Sequence, residues 1–161
     1  MPEKETLERA KEDKEEGKAP STQAGEFVRE EIEHVREGKH GARSTKQAIA
    51  IGLSKARRAG VKLPAPRKGS KKIRKQAARD LKRGKKKSAK KSAKRSRATS
   101  AALKREGHSA ASKRALSRQA RKAAKKRSAA ARSRSAKKAA RTRKNTAKKQ
   151  SAKGNEIRRE R

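Results

Sequence analysis

Cysteine, tryptophan and tyrosine are absent from the 161 residues, and Phe27 is the only phenylalanine. Without cysteine the chain forms no disulfide and no thiolate metal site. Proteins that bind single-stranded nucleic acid generally stack bases on aromatic rings, and this chain has almost none to offer. No apolar run approaches the ~18 residues of a membrane helix, and the N-terminus lacks the hydrophobic stretch of a secretory signal. We therefore expect a cytoplasmic protein.

Sequence patterns of catalysis are missing as well. The serines and threonines stand in no GxSxG or P-loop pattern. A mean hydropathy of -1.40 is typical of a chain that cannot enclose a dry, rigid pocket. Of the three histidines, His34, His40 and His108, no two are four residues apart, and His34 with Glu30 and Glu37 is the nearest approach to a set of metal ligands. The sequence predicts no enzyme, no cofactor and no metal site, and it predicts exposed histidines.

Positive charge dominates the composition. Lys and Arg number 54 against 16 Asp and Glu, which gives a formal net charge of +38. The charge is uneven: it is -5 over residues 1–37, +7 over 38–66 and +36 over 67–161. DNA and RNA are the usual partners of so much positive charge, because their phosphates are dense and regular. A membrane-bound helix needs bulky apolar residues opposite its charges, and this chain offers mainly alanine there, so no membrane partner is expected.

The pattern divides the chain into four segments. They are an acidic, polyampholytic arm at 1–20, a helical hairpin at 21–63, a linker at 64–69 and a basic Lys/Arg/Ala-rich tail at 70–161. The arm is interpreted as a polar helix or a disordered segment, because Leu7 is its only large apolar residue and little would hold it to a core. One role considered for the arm is to fold onto the tail and compete with phosphate.

Apolar residues at helical spacing predict the first helix of the hairpin. Phe27, Val28, Ile32 and Val35 share one face, and two glycines then interrupt the pattern. Nine large apolar residues are too few to stabilise about 40 ordered residues with a margin, since each ordered backbone costs ~1–2 kcal/mol. We therefore expect self-association through residues 21–63, or partner binding, to assist the hairpin.

The second helix of the hairpin carries signals at its start and along its length. Ser44 and Gln47 fit a capping box, in which the serine oxygen accepts a free helix N–H and the glutamine reaches back. Ile49, Leu53 and Ala56 then share one stripe.

Signals at the end of this helix are equally specific. Gly60 suits the left-handed position that ends a helix, and Val61 is placed to fold back on Ala56. Pro64 and Pro66 prevent further helix and mark the linker.

The stretch GEFVREEIEHVREGKHGARSTKQAIAIGLSKARRAGVKLP resembles a segment shared by a group of small, uncharacterised bacterial proteins, over about residues 24–66. Its most specific part is KQAIAIGLSKARRAG. The resemblance implies a bacterial source and brings no activity, so it names no catalytic residue. The tail resembles the Lys/Ala-rich arms of bacterial histone-H1-like proteins, although such arms are often rich in proline and this tail has none after Pro66.

Composition predicts that the tail lacks a core. Its large apolar residues are Ile73, Leu81, Leu103, Leu116 and Ile157, and residues 107–155 contain no acid. Such a chain repels itself, whereas Ala, Lys and Arg are good helix formers. The expected fold is therefore mainly α: a small helical hairpin followed by a largely disordered, conditionally helical tail that orders on DNA.

Local signals indicate where helices of the tail would form. Ser70 fits the N-cap of a helix ended by Gly84, and Ser109 fits the N-cap of a longer helix that runs to about Ala131. The segment SRQARKAAKKR at 117–127 recurs as SRSAKKAARTR at 133–143.

These features predict DNA binding through phosphate contacts without sequence preference, as in nucleoid-associated, histone-H1-like proteins. Double-stranded DNA is the expected partner, and an RNA- or ribosome-associated basic protein is the alternative. A secondary basic patch is expected at Arg43, Lys46, Lys55, Arg57, Arg58 and Lys62. The main nucleic-acid-binding residues are expected to be Lys71, Lys72, Arg74, Lys75, Lys85, Lys86, Lys87, Lys90, Lys91, Arg114, Arg118, Arg121, Lys122, Lys125, Lys126, Arg132, Arg134, Lys137, Lys138, Arg141, Arg143 and Lys144.

Overall fold

The computed structural model describes residues 2–67, 69–85 and 92–159. Their contacts divide the chain into two compact units, residues 1–119 and 120–161. The described residues form seven α-helices and one short 3₁₀ turn at Ser109–Ala111: α1 Lys4–Glu15, α2 Pro20–Arg36, α3 Thr45–Arg58, α4 Lys71–Lys85, α5 Ala93–Lys104, α6 Lys113–Lys125 and α7 Ala129–Arg159.

The predicted hairpin is present as α2 and α3, which cross at very short distance. A Cβ added at Gly52 of α3 would lie 2.6 Å from the Cα of Val28 on α2. Ala48 and Ala56, four residues to either side of Gly52, are fully buried. The buried stripe of α3 therefore consists of small residues that let the two backbones approach. Of the predicted stripe, Ala56 is buried, whereas Ile49 and Leu53 are only half-buried and Leu53 packs at the edge of the core.

The end signals of α3 are confirmed. Ser44 Oγ accepts from the Gln47 N–H at 3.3 Å, and Gln47 Oε1 accepts from the Arg43 N–H at 3.0 Å. At the other end Gly60 has φ +97°, and the Val61 N–H donates to the Ala56 carbonyl at 3.1 Å. Val61 packs in the same apolar cluster as Ala56. These bonds satisfy backbone groups that a helix end otherwise leaves without partners.

Two further helices pack on the hairpin. α1 buries Thr6, Ala10 and Asp13, so residues 4–15 form a helix with one face in the core. The expectation that little would hold this segment to a core was wrong, because Ala10, although small, packs in the apolar core cluster. On the other side, α4 buries Ala77 and Asp80.

The expectation of a largely disordered tail is contradicted, since α4 to α7 occupy most of its described residues. Each of these helices follows a serine whose Oγ accepts an N–H three residues on, at 3.2–3.4 Å. The serines are Ser70, Ser92, Ser112 and Ser128. Between these caps stand Ala, Lys and Arg, whose helix propensity is high, and the described Lys and Arg side chains of these helices are exposed. The caps and the helix propensity together outweigh the like-charge repulsion that was expected to keep the tail disordered.

One segment of the tail belongs to the core of the first unit. The carbonyls of Leu103 and Gly107 accept from the N–H groups of Gly41 and Ala42 at 2.9 and 3.0 Å. Thr45 Oγ1 donates to the Ala110 carbonyl at 2.7 Å. Ala110 and Ala111 are buried beside Val35. Ser109 therefore begins a 3₁₀ turn and does not cap a long helix, which begins at Lys113 and ends at Lys125.

Candidate nucleic-acid interface

The described tail side chains predicted to contact nucleic acid are all exposed. Of the predicted residues, four lie outside the described part of the chain: Lys86, Lys87, Lys90 and Lys91. The helices hold the others in three groups. On α4 they are Lys71, Lys72, Arg74, Lys75 and Lys85; on α6 and just after it Arg114, Arg118, Arg121, Lys122, Lys125 and Lys126; and on α7 Arg132, Arg134, Lys137, Lys138, Arg141, Arg143 and Lys144.

These cations have no carboxylate partners in the part of the chain that the structure describes. Every ion pair found there takes its base from residues 9–58, and Asp80 of α4 pairs with Arg58 of α3. Exposed cations that lack an anionic neighbour hold a loose atmosphere of solution anions. In general, a basic surface that neutralises the phosphates of a nucleic acid releases the counterions condensed on that nucleic acid, and this release favours binding.

The internal repeat has a structural counterpart. The two copies lie on α6 and α7, and the caps Ser112 and Ser128 stand at the same offset of sixteen residues. Each cap accepts at 3.2 Å from the third residue on, Ala115 or Ala131. The repeated unit is therefore a capped, strongly basic helix. At 1.5 Å per residue the 31 residues of α7 extend over about 46 Å.

Half of the residues of the predicted secondary basic patch make contacts within the fold. Lys55 Nζ lies 3.0 Å from Glu30 Oε1 and 2.7 Å from Glu31 Oε2. Arg57 is buried and donates to the carbonyls of Leu63 and Pro64 at 3.2 and 3.3 Å. Both side chains therefore have their partners within the fold.

Arg58 of the same patch donates to Asp80 Oδ1 at 2.9 Å and ties α3 to α4. The other members, Arg43, Lys46 and Lys62, are exposed, and none of the ion pairs among the described residues includes them. Three of the six members are therefore exposed without an ion-pair partner among the described residues.

Sequence reasoning missed a buried charged cluster on α2. Glu30 and Glu31 are 2% and 0% exposed. Burial on its own raises the pKa of Glu30, but the Lys55 ammonium and the Glu3 N–H outweigh it and hold that pKa below its usual value. The signal was present in the sequence, because Glu31 stands midway between Phe27 and Val35 at intervals of four residues. A carboxylate on the apolar face of a helix is buried with that face.

A known protein family matches part of the chain. Residues 11–68 match a family of unknown function, DUF6496. The match covers about a third of the chain, including all of α2 and α3, and it ends before α4 begins. No curated protein and no solved structure matches the chain. None of the helices among the described residues combines the length and the apolar character needed to cross a membrane.

Proposed function

We propose that this protein binds double-stranded DNA through its phosphates, without sequence preference, and that α4 to α7 carry the binding side chains. The observation that supports this most directly is the exposure of the described Lys and Arg side chains of these helices, none of which has a carboxylate partner among the described residues. A chromosomal location, in association with the nucleoid, is part of the same proposal.

The surface favours phosphate contact over base stacking. Phe27 is 1% exposed inside the core, and the sequence has no other Phe, Trp or Tyr. Bases splayed from a single strand therefore have no aromatic ring to stack on. A duplex presents its charges outward and needs no such platform, so duplex DNA suits this surface best.

The amount of charge sets the scale of the complex. Residues 67–161 carry a net charge of +36, which matches ~36 phosphates, or about 18 base pairs of duplex. One molecule thus neutralises a short stretch of DNA, and covering a longer stretch requires many molecules. If ~10 of the cations contact phosphates at one time, the slope of log K against log salt is about -9.

The experiment compares two triple substitutions of equal charge. One removes Arg118, Arg121 and Lys122 of α6, and the other removes Arg43, Lys46 and Lys62, with Gln in each case. All six side chains are exposed. Three lost phosphate contacts reduce the magnitude of the salt slope by about 2.7, and we expect this for the α6 variant and less than ~1 for the control.

Two results would contradict the proposal. A wild-type slope shallower than about -3 would mean that phosphate contacts do not supply the affinity. An equal loss in the two triple variants would mean that net charge matters and the tail helices do not. The RNA alternative is tested by competition between duplex DNA and duplex RNA, and by identifying the nucleic acid that crosslinks to the protein in cells.

A further inference from the structure

Three side chains with metal-ligating atoms meet where α2 ends. Glu31 and His34 stand three residues apart on α2 and share a face. Gly38, with φ +76°, then reverses the chain, and the Lys39 N–H donates to the His34 carbonyl at 3.0 Å. This turn returns His40 toward the helix. One ligand-type atom from each of Glu31, His34 and His40 lies within 4.8 Å of the other two.

The carboxylate of Glu31 has an unsatisfied oxygen in this cluster. Its side chain is 0% exposed, and neither carboxylate oxygen has a hydrogen-bond partner among the described residues, although Oε2 forms an ion pair with Lys55 Nζ at 2.7 Å. The His40 Nε2 lies 3.2 Å from Oε1. A buried anionic oxygen without a donor is costly, which calls for a cation at this position.

The hydrogen bond on the other side of His40 defines its neutral form. Its Nδ1 lies 3.1 Å from the Gly41 carbonyl oxygen, which only accepts, so Nδ1 carries the proton. In the neutral ring Nε2 then presents its lone pair to Oε1 of Glu31. Two lone pairs that face each other repel, whereas a metal ion between them binds both. Metal-ligating histidines commonly donate their second ring nitrogen to a carbonyl in this way.

The charges of the cluster point in the same direction. Glu30 and Glu31 are buried carboxylates, and Lys55 is the one ammonium paired with them among the residues that the structure describes. Glu30, Glu31 and Lys55 together carry one negative charge in excess, and a bound divalent ion would offset it. Two imidazoles and one carboxylate form a ligand set typical of Zn²⁺, whereas Mg²⁺ and Ca²⁺ prefer oxygen ligands alone.

We propose that Glu31, His34 and His40 bind a divalent transition-metal ion of the Zn²⁺ class. The two rings are 14% and 17% exposed, so an ion can enter and the rings can rotate to ligand distances of about 2.0–2.2 Å. Glu3 Oε1, 2.9 Å from His34 Nε2, is the carboxylate that orients the His34 ring. The ion would fasten the loop before α3 to α2. This role is independent of any role of the tail.

The test uses the full chain after treatment with a chelator. Isothermal titration with Zn²⁺ is expected to give one site per chain, and Co²⁺ is expected to give visible d–d absorption at the same stoichiometry. Glu31→Gln and His40→Ala are each expected to weaken binding at least ~10-fold. His108→Ala is the matched control, because this exposed histidine lies near Gly38 and outside the cluster, and its affinity should equal that of wild type.

Nuclear magnetic resonance of the wild-type protein gives a result that does not depend on how the variants fold. The three histidine ring signals are easily assigned by substitution, and Zn²⁺ should shift those of His34 and His40 while His108 stays unchanged. The proposal is overturned if Zn²⁺ shows no saturable binding up to millimolar concentration, if His108 shifts as much as the other two, or if His108→Ala weakens binding as much as His40→Ala.

Discussion

Lysine and arginine play different parts in two regions of this molecule. In residues 9–58 many are paired with carboxylates, and such a pair stands at each contact between successive helices from α1 to α4. In residues 62–85 and 92–148 the described cations have no carboxylate partner. The interhelical pairs are Arg9 with Glu26 between α1 and α2, Lys55 with Glu31 between α2 and α3, and Arg58 with Asp80 between α3 and α4.

A count of charges therefore does not locate a binding surface. A cation opposite a buried carboxylate contributes to the fold, and its removal leaves a charge without a partner. A cation in solvent contributes little to stability and remains available to an external anion. The same residue type thus predicts opposite outcomes when it is replaced in the two regions.

The largest expected effect on stability comes from Lys55. Replacing it by Met keeps most of its volume and leaves Glu30 and Glu31, which are 1% and 0% exposed in their side chains, without the ammonium. Loss of one partner of a buried pair costs about 3–5 kcal/mol, and we expect this decrease in the free energy of unfolding by urea at neutral pH.

Lys122→Met is the matched control for this comparison. Lys122 is exposed on α6, so its replacement should change the unfolding free energy by less than about 0.5 kcal/mol. A cost below ~1 kcal/mol for Lys55→Met, or equal costs for the two variants, would remove the distinction between the regions.

A smaller effect is expected from pH, because both partners stay in place. Burial opposes charge on Glu30, but Lys55 and the Glu3 N–H lower its pKa below the ordinary 4.5. Its stabilisation is complete above pH 4.5 and is lost as the pH falls through the folded-state pKa. Burial likewise opposes charge on Lys55, but Glu31 and Glu30 raise its pKa above 10.5. That stabilisation is complete below pH 10.5 and is lost as the pH rises through the folded-state pKa.

Thermal melts followed by circular dichroism should therefore show a plateau between about pH 4.5 and 10.5, with stability falling on both sides. Lys55→Met should weaken the decrease in melting temperature on the alkaline side. It should also change the pH at which the melting temperature decreases on the acid side. A wild-type melting temperature that stays constant across both limits would contradict the role given to this cluster.

The sequence predicted local structure well because local signals determine it. Ser44 with Gln47, and Gly60 with Val61, fixed the ends of α3 correctly, since each pair lies within one turn of chain. Ser70 was likewise recognised as the cap of α4. The hairpin followed from apolar spacing alone.

Long-range packing was not predictable in the same way. The burial of Ala110 and Ala111 depends on Thr45 and Val35, which lie more than sixty residues away. Because alanine is so frequent in this sequence, its spacing does not mark one face of a helix as buried. A count of large apolar residues also underestimates the core, since alanines form part of it. Arg57 was also expected on the surface, although it donates to the carbonyls of Leu63 and Pro64 in the segment directly after α3.

The smallest effect should come from a single serine of the second region. Ser128 Oγ accepts from the Ala131 N–H at 3.2 Å and caps α7, whereas Ser133 is exposed within the same helix. Ser128→Ala removes a cap worth about 1 kcal/mol, so the first turn of α7 should fray. Ser133→Ala replaces a weaker helix former by the strongest one and should leave helix content equal or slightly higher. The chemical change is identical, so circular dichroism of the two full-length variants, with amide hydrogen exchange at residues 129–132, isolates the cap. A loss of helix in both variants, or in neither, would show that α7 owes its start to something other than Ser128.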